Sequence, residues 1–225
     1  MCCCAALLGI LGAVWLGKGA ILRGAARLLI VEDPLVRPDY VWSCEADGAY
    51  DRAGALLRKN PKLRILIVEN HPNRLVQAGV LPNGEEVARR QFIARGVPRG
   101  HIEIIPGEAC NNRQEVRLMA QWLTSHREKQ VLVLCDRFHS RYQRSVFDRL
   151  LQPEEAAAVR IQAVPDRRFD ETNWWKSRIG AKELFRAYVV LALAHCRCGD
   201  PDEPIMWNPE EYEQRFRRTL GGDCR

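Results

Sequence analysis

The stretch VLVLCDRFHSRYQRSVF at residues 131–147 decides the fold class of this chain. Its first four residues are apolar, which is typical of a strand buried on both faces of a parallel sheet. Polar residues follow at once, and the pattern after them predicts a helix near residues 139–151. An ordinary strand–loop–helix joint with a solvated basic face would have the same pattern. In an open α/β sheet, however, ligands bind at such strand ends.

Strand and helix patterns alternate along the rest of the chain. Apolar runs predict strands at about 39–44, 63–68, 101–105, 130–135 and 158–164, and helical patterns predict helices near 47–59, 84–96, 111–127, 139–151 and 179–194. This order predicts an α/β fold, namely a Rossmann-like three-layer α/β/α domain with a mainly parallel sheet. Neither G-x-G-x-x-G nor G-x-x-x-x-G-K-[ST] follows a strand, so a standard glycine-rich phosphate loop is not expected.

The composition is that of a globular protein with one main domain. The chain has 225 residues, of which 47% are hydrophobic and 28% charged, and its net charge is +6. Its basic residues form no continuous stripe with interleaved aromatic residues, so nucleic-acid binding is not expected. The nine cysteines are scattered and odd in number, which favours reduced thiols and a cytoplasmic domain. The His195-Cys196-x-Cys198 group lacks a second pair of ligands, so no metal site is predicted there.

The amino-terminal segment is the second strong signal. Residues 2–17 carry no charge, and the apolar pattern resumes after Lys18 and continues to Val31. Three interpretations of residues 1–31 compete, namely a transmembrane anchor, which we favour, an amphipathic interfacial helix and a core helix. Because the basic residues follow the apolar run, the positive-inside rule places the remainder of the chain in the cytoplasm. A domain at 32–198 and a charged, partly helical tail at 199–225 complete the expected organisation.

Polar residues follow each predicted strand and should meet at one edge of the sheet. Arginines dominate this set, and their guanidinium groups bind phosphate or carboxylate oxygens in a bidentate manner. The residues predicted to bind an anion are Asn112, Arg113, Arg137, His139, Arg141 and Arg167. Helix capping and surface ion pairs are the competing roles, since Asn111 or Asn112 is a natural N-cap.

Three residues are candidates for proton transfer. His139 beside Asp136 would be a general base with an orienting carboxylate, although a lone histidine near a helix start often has a capping role. Glu45, which follows the first predicted strand, is a further candidate for handling protons.

The sequence also allows two other kinds of site, a nucleophilic cysteine and a metal site. Cys110 or Cys135 would be a nucleophile if a helix amino terminus activated the thiol, but buried cysteines at strand ends are commoner. A metal site could be assembled from Asp136, His139, His71 and Glu108 only if the fold brought these residues together. The identity of any cofactor stays unknown.

Several motifs together resemble the YdcF-like family, which includes the SanA- and ElyC-related proteins. The motifs are the membrane-proximal apolar helix, Asp39 at the first strand, the turn CNNRQE at 110–115, and Phe138-His139 after the fourth strand. The resemblance covers roughly residues 28–190. It implies a Rossmann-like domain, often tethered to the bacterial inner membrane and associated with cell-envelope and peptidoglycan biogenesis. It also implies site roles for Asn112, Glu115 and His139.

The chain departs from the family pattern in three places. The segment SCEADG at 43–48 stands where a glycine-rich turn is usual, and Glu69-Asn70-His71 stands where Ser-Gly-Gly is usual. Tyr142 occupies the position of an expected arginine. Both missing turns normally let a ligand approach the backbone, so the ligand of this chain is expected to differ.

Together these features predict a membrane-tethered YdcF-like protein that binds an anionic, phosphate-bearing ligand at the carboxyl edge of the sheet. The ligand would be a small molecule or a lipid-linked phosphate, and the residues that would handle protons are Glu45, Asp136 and His139. The expected location is the bacterial inner membrane, with no specific protein partner. A non-catalytic envelope interaction protein and a binder of a nucleotide or S-adenosylmethionine-type cofactor are the alternatives.

Overall fold

The computed structural model describes residues 17–34, 37–43 and 47–196, together with residues 210 and 213–214. The strands are β1 (Tyr40–Ser43), β2 (Arg64–Asn70), β3 (Ile102–Ala109), β4 (Val131–Asp136) and β5 (Val159–Val164). The helices are α1 (17–27), α2 (Asp47–Lys59), α3 (Arg74–Gln77), α4 (Gly84–Ala94), α5 (Asn112–Ser125), α6 (Ser140–Leu150), α7 (Pro153–Ala157) and α8 (Arg178–His195). Short 3-10 turns cover Arg99–His101, Arg137–His139 and Trp174–Lys176.

The five strands form one parallel sheet with the order β3-β2-β1-β4-β5. Successive residues of the central strands point to opposite faces. Trp42 and Val133 enter a core with α5 and α6, whereas Val41 and Leu132 enter a second core with α2 and α4. The predicted Rossmann-like three-layer α/β/α fold is therefore confirmed.

The strand order places a topological switch point between β1 and β4. The helix after β1 packs on one face of the sheet, and the helix after β4 packs on the other. The two connections therefore diverge at the carboxyl ends of these neighbouring strands. This is the position at which open α/β sheets bind ligands.

Most predicted elements agree with the structure, and the differences have local causes. β3 continues past the predicted end at residue 105 and includes Pro106. Because β3 is an edge strand, the missing proline N–H breaks no bond to a further strand. The short α3 and α7 were not predicted, since each has fewer than six residues, and Asn73 and Pro153 are the signals at their amino ends.

The third apolar core joins α1 to α8. Ala26 and Leu29 pack with Leu184, Ala187 and the aromatic rings of Phe138 and Phe169. Two hydrogen bonds to α1 carbonyls reinforce this contact, from Trp174 Nε1 to Leu22 at 3.1 Å and from the Tyr188 hydroxyl to Ala25 at 2.6 Å. Residues 17–33 therefore pack on the domain instead of standing apart from it.

The described helices include none that combines the length and apolar character needed to span a bilayer. The apolar residues 2–16 and most of the tail at 199–225 lie outside the described residues. The expected anchor and the expected helical tail therefore stay predictions.

Candidate functional site

The end of β4 has the strand–turn–helix form that the sequence predicts. Val131 to Cys135 are buried, and the last strand residue, Asp136, is exposed. Phe138 in the following 3-10 turn packs on Phe169, with ring centroids 5.7 Å apart. This contact fixes the turn, and His139 at its end precedes the buried first residue of α6.

Asp136 and His139 line a cleft of about 230 Å³, which we call the His139 cleft. The neighbouring strand β5 pairs with β4 up to Val164, so the loop after β5 forms a second wall. One turn of α8 forms the third wall. The lining residues are Asp136, Arg137, Phe138, His139, Asp166, Arg168, Phe169, Asp170, Glu183 and Arg186.

The two residues at the end of β4 have shifted pKa values. Burial lowers the pKa of the His139 imidazole, although the nearby Asp136 carboxylate acts in the opposite direction. Partial desolvation in the cleft also raises the pKa of Asp136, although part of its surface stays exposed, with Asp166 and Glu183 adding to the rise and His139 opposing it. His139 is therefore mainly neutral near pH 7, and the pKa of Asp136 is higher than that of a fully solvated aspartate.

The side chains of Asp136 and His139 form no hydrogen bond or ion pair with each other or with another described residue. The orienting contact between carboxylate and imidazole that the sequence suggested is absent. Both groups are thus available to a ligand in the cleft.

The other carboxylates of the cleft already have partners within the chain. Asp166 accepts three hydrogen bonds from Arg168, two from the guanidinium group at 2.9 and 2.7 Å and one from the backbone N–H at 2.7 Å. Glu183 lies 4.0 Å from Arg186. Asp170 accepts from the backbone and hydroxyl of Thr172 within its own turn. The side chains of Arg168 and Arg186 are 60% and 66% exposed, so both can reach a ligand at the mouth of the cleft.

Three arginines of the 131–147 stretch hold the segment of residues 28–33, which we call the N-terminal strap. Arg137 pairs with Glu32 and, at 2.7 Å, with Glu171. Arg144 pairs with Asp33, and Arg141 donates to the carbonyl of Leu28. The predicted ligand residues Arg137 and Arg141 are therefore engaged in structural contacts here.

The strap also continues the edge of the sheet. The backbone N–H of Asp33 donates to the carbonyl of Ile161 at 2.9 Å, and the Asp33 carboxylate accepts from the Ile161 N–H at 2.7 Å. The buried Ser140 hydroxyl accepts from the Val31 N–H at 2.9 Å. Asp33 therefore satisfies the backbone N–H and carbonyl of Ile161 on the open edge of β5.

Arg167 and Arg113 lie away from the lining of the His139 cleft. Arg167 is exposed and pairs with Asp51 on α2, so its neighbour Arg168 is the arginine that lines the cleft. Arg113 is half-buried in the first turn of α5. Glu45 lies outside the described residues, so its predicted role has no structural counterpart.

Asn112 joins helix α5 to helix α6. Asn111 is the N-cap of α5 and accepts from the Gln114 N–H at 3.0 Å. The Asn112 side-chain amide donates to Gln143 Oε1 of α6 at 3.1 Å. Gln143 is only 4% exposed, and its Nε2 has no partner in the part of the chain that the structure describes.

A second, smaller cavity lies at the carboxyl ends of β1 and β2. Its volume is about 40 Å³, which is room for one or two water molecules. Glu115 lines it together with Asn70 and Glu85. Asn70 Oδ1 and Glu85 Oε2 are buried oxygen atoms without a partner among the described residues. A donor group that enters here would satisfy both oxygens.

The described residues give little support for a nucleophilic cysteine or for a metal site. Cys135 is buried, and burial raises the pKa of its thiol to about 12, so it is not a thiolate at neutral pH. His71 lies 3.4 Å from Glu108 at the ends of β2 and β3, but these residues do not line the cleft of Asp136 and His139. Within the described ranges no group of three or more His, Cys, Asp or Glu residues has a geometry that could hold a metal ion.

The sequence places Asn70, Asp166 and Arg168 after predicted strands but does not single them out as ligand residues, although they line the two cavities. Sequence reasoning missed the cavity residues Glu85, Glu183 and Arg186, and it missed the buried Gln143, which lines neither cavity. Glu183 and Arg186 could not be found from the sequence, because the position of α8 depends on the third core and not on a local pattern.

Comparisons with protein-family models, curated proteins and solved structures gave no match for this chain.

Proposed function

We propose that this chain is a YdcF-like protein whose His139 cleft binds a phosphate-bearing ligand in bacterial cell-envelope metabolism. The observation that carries the proposal is the pair of unengaged groups, Asp136 and His139, at the end of a central strand with two exposed arginines beside them. The ligand is a small phosphate ester or the phosphate of a lipid-linked precursor.

The lining of the cleft has four carboxyl groups and three guanidinium groups, so the support for an anion comes from the two exposed arginines at its mouth. Arg168 and Arg186 each neutralise one carboxylate and still have exposed N–H groups. Guanidinium groups bind phosphate oxygens in a bidentate manner, which an ammonium group cannot do. The raised pKa of Asp136 means that its carboxyl is more easily protonated than that of a fully solvated aspartate, which lessens its repulsion of a bound phosphate.

The same pair of residues could transfer a proton to or from the ligand. Protonated Asp136 would act as a general acid toward the ester oxygen, and neutral His139 would accept a proton from an attacking water. Phosphate binding can be tested apart from hydrolysis, because only hydrolysis requires Asp136 to be protonated and His139 to be neutral.

Titration with inorganic phosphate and a hexosamine 1-phosphate, followed by NMR of the histidine side chains, tests the proposal. The chain has five histidines, and the spectrum of His139→Asn identifies the signal of His139. We expect the His139 signal to shift with saturation while that of His101, whose ring contacts the Leu63 carbonyl, stays constant. Equal shifts of both signals, or no shift of His139, would contradict binding in the cleft.

The proposed location is the bacterial inner membrane, with residues 2–17 as the anchor and the domain in the cytoplasm. The uncharged run and the basic residues that follow it support this orientation. Fractionation of the full chain and a carboxyl-terminal topology reporter test it. Recovery in the soluble fraction, or a reporter active only in the periplasm, would contradict the proposed location.

A further inference from the structure

One face of α8 exposes apolar side chains in a regular row. Phe185, Val189 and Leu193 are separated by four residues, so they lie on the same side of the helix. Phe185 is 71% exposed, which is more than any other large apolar side chain of the described residues. In α8 the opposite side is already used, since Leu184 and Ala187 are buried in the third core.

The neighbouring helix α1 and the residue after it add to this surface. Ile21 and Leu28 are 60% and 63% exposed, while Ala26 between them is buried against α8. The exposed apolar row of α8 and that of α1 therefore belong to two helices in direct contact. We call these exposed residues, with the basic residues that accompany them, the α1/α8 face.

The charges on this face have one sign. The exposed basic residues of the two helices are Lys18, Arg23, Arg27, Arg178, Lys182 and Arg186, of which Arg186 lines the His139 cleft. Glu183 is the only acidic residue in either helix, and it is half-buried in the His139 cleft. A combination of exposed apolar side chains and basic residues without acids is typical of helices that lie in the interface of an anionic membrane.

We propose that the α1/α8 face binds the surface of an anionic lipid bilayer. Phe185, Val189 and Leu193 would enter the headgroup region, while Arg178 and Lys182 would contact the lipid phosphates. The sequence adds a further reason, since residues 2–16 are apolar and uncharged and lead directly into α1. In this contact α8 would lie parallel to the membrane plane, so the contact is distinct from the proposed anchor. It does not depend on the ligand of the His139 cleft.

Vesicle binding by the full chain tests the proposal. The vesicles are phosphatidylcholine alone or phosphatidylcholine with about 30% phosphatidylglycerol, which supplies the negative surface charge. We compare the wild type with two double variants, Arg178→Glu/Lys182→Glu and Phe185→Ser/Val189→Ser. All four residues are exposed, so the folded state should be retained. Lys62→Glu/Arg127→Glu is the matched control, because it reverses two exposed charges elsewhere.

We expect α8 amides of the wild type to exchange hydrogen more slowly when anionic vesicles are present. Both test variants should lose this protection of the α8 amides. The control variant should behave as the wild type does. Local hydrogen exchange separates this contact from any binding through residues 2–16.

Three results would overturn the proposal. In the first, α8 exchanges at the same rate with and without anionic vesicles. In the second, the wild type is a dimer that Phe185→Ser/Val189→Ser dissociates, which would assign the face to a second copy. In the third, α8 is already protected without vesicles and the test variants expose residues 1–16, which would assign the face to that segment. Phosphate binding measured without vesicles is unaffected by all three results.

Discussion

The side-chain amide of Asn112 donates a hydrogen bond to Oε1 of Gln143, across 3.1 Å, and so ties the start of α5 to the second turn of α6. Gln143 is almost completely buried, and its Nε2 already lacks a partner among the described residues. The residue that the family resemblance assigns to a ligand site therefore also has a structural contact between two helices.

Asn112→Ala should consequently destabilise the protein as well as alter any site. The substitution leaves the buried side-chain amide of Gln143 without this hydrogen bond, which lowers the free energy of unfolding by about 1–3 kcal/mol. In a chain of this size that corresponds to a melting temperature lower by roughly 2–4 °C per kcal/mol. Thermal unfolding of Asn112→Ala and of the exposed control Gln77→Ala measures the difference. An unchanged melting temperature in Asn112→Ala would show that the contact with Gln143 contributes no stability.

The N-terminal strap should loosen when Arg144 is replaced. Arg144→Met leaves the partly buried Asp33 carboxylate without its guanidinium partner, and only the Ile161 N–H remains. We expect faster trypsin cleavage at Arg27, since the strap beside it would open more often. Arg90→Met is the control, because the Arg90–Glu86 pair is a surface pair of adjacent helical turns and contributes little. Cleavage at equal rates in both variants would argue against this role of Arg144.

The stability of the protein should depend on pH through His139. Burial holds the pKa of His139 below its ordinary value of 6.5. At a pH between the two pKa values, His139 is therefore protonated in the unfolded chain and neutral in the folded chain. The free energy of unfolding therefore falls as the pH decreases from the ordinary value through the folded pKa. His139→Asn should lack this loss, which urea unfolding of both proteins at a series of pH values measures. Parallel curves for the two proteins would be inconsistent with a lowered pKa.

Asp136 should affect stability with the opposite sign. Its pKa is raised above 3.8, so the folded chain keeps a proton that the unfolded chain releases. The free energy of unfolding therefore falls as the pH rises from the ordinary value through the folded pKa. Asp136→Asn should remove this cost and be more stable than the wild type at neutral pH. A less stable Asp136→Asn would indicate that the carboxylate has a stabilising partner.

Much of the fold is encoded locally and could be predicted. The apolar runs and the alternating order gave the five strands and the Rossmann-like layers, because buried parallel strands have continuous apolar sequences. The position of His139 and Asp136 at one strand end follows from the same pattern. Long-range packing could not be predicted in this way. The strap, for example, depends on Arg144 meeting Asp33, which lies 111 positions away.

The candidate site was harder to predict because the local pattern does not show where a side chain points. Arg167 and Arg168 are adjacent and chemically equal, yet Arg167 turns to Asp51 on α2 and Arg168 turns into the cleft. The arginines of the 131–147 stretch were predicted to bind an anion, and Arg137 and Arg141 are engaged by residues 28–32 and Glu171. In each case a carboxylate or carbonyl distant in sequence decides the contact.

Calorimetric titration with inorganic phosphate tests the central claim most directly, on the wild type and on Arg168→Met and Arg167→Met. The two arginines are neighbours in the chain, and each pairs with one aspartate, but only Arg168 lines the His139 cleft. We predict that Arg167→Met binds phosphate as the wild type does and that Arg168→Met binds at least about tenfold more weakly, because a charge-assisted contact is lost. Equal affinity of all three proteins, or a loss confined to Arg167→Met, would contradict phosphate binding in the His139 cleft.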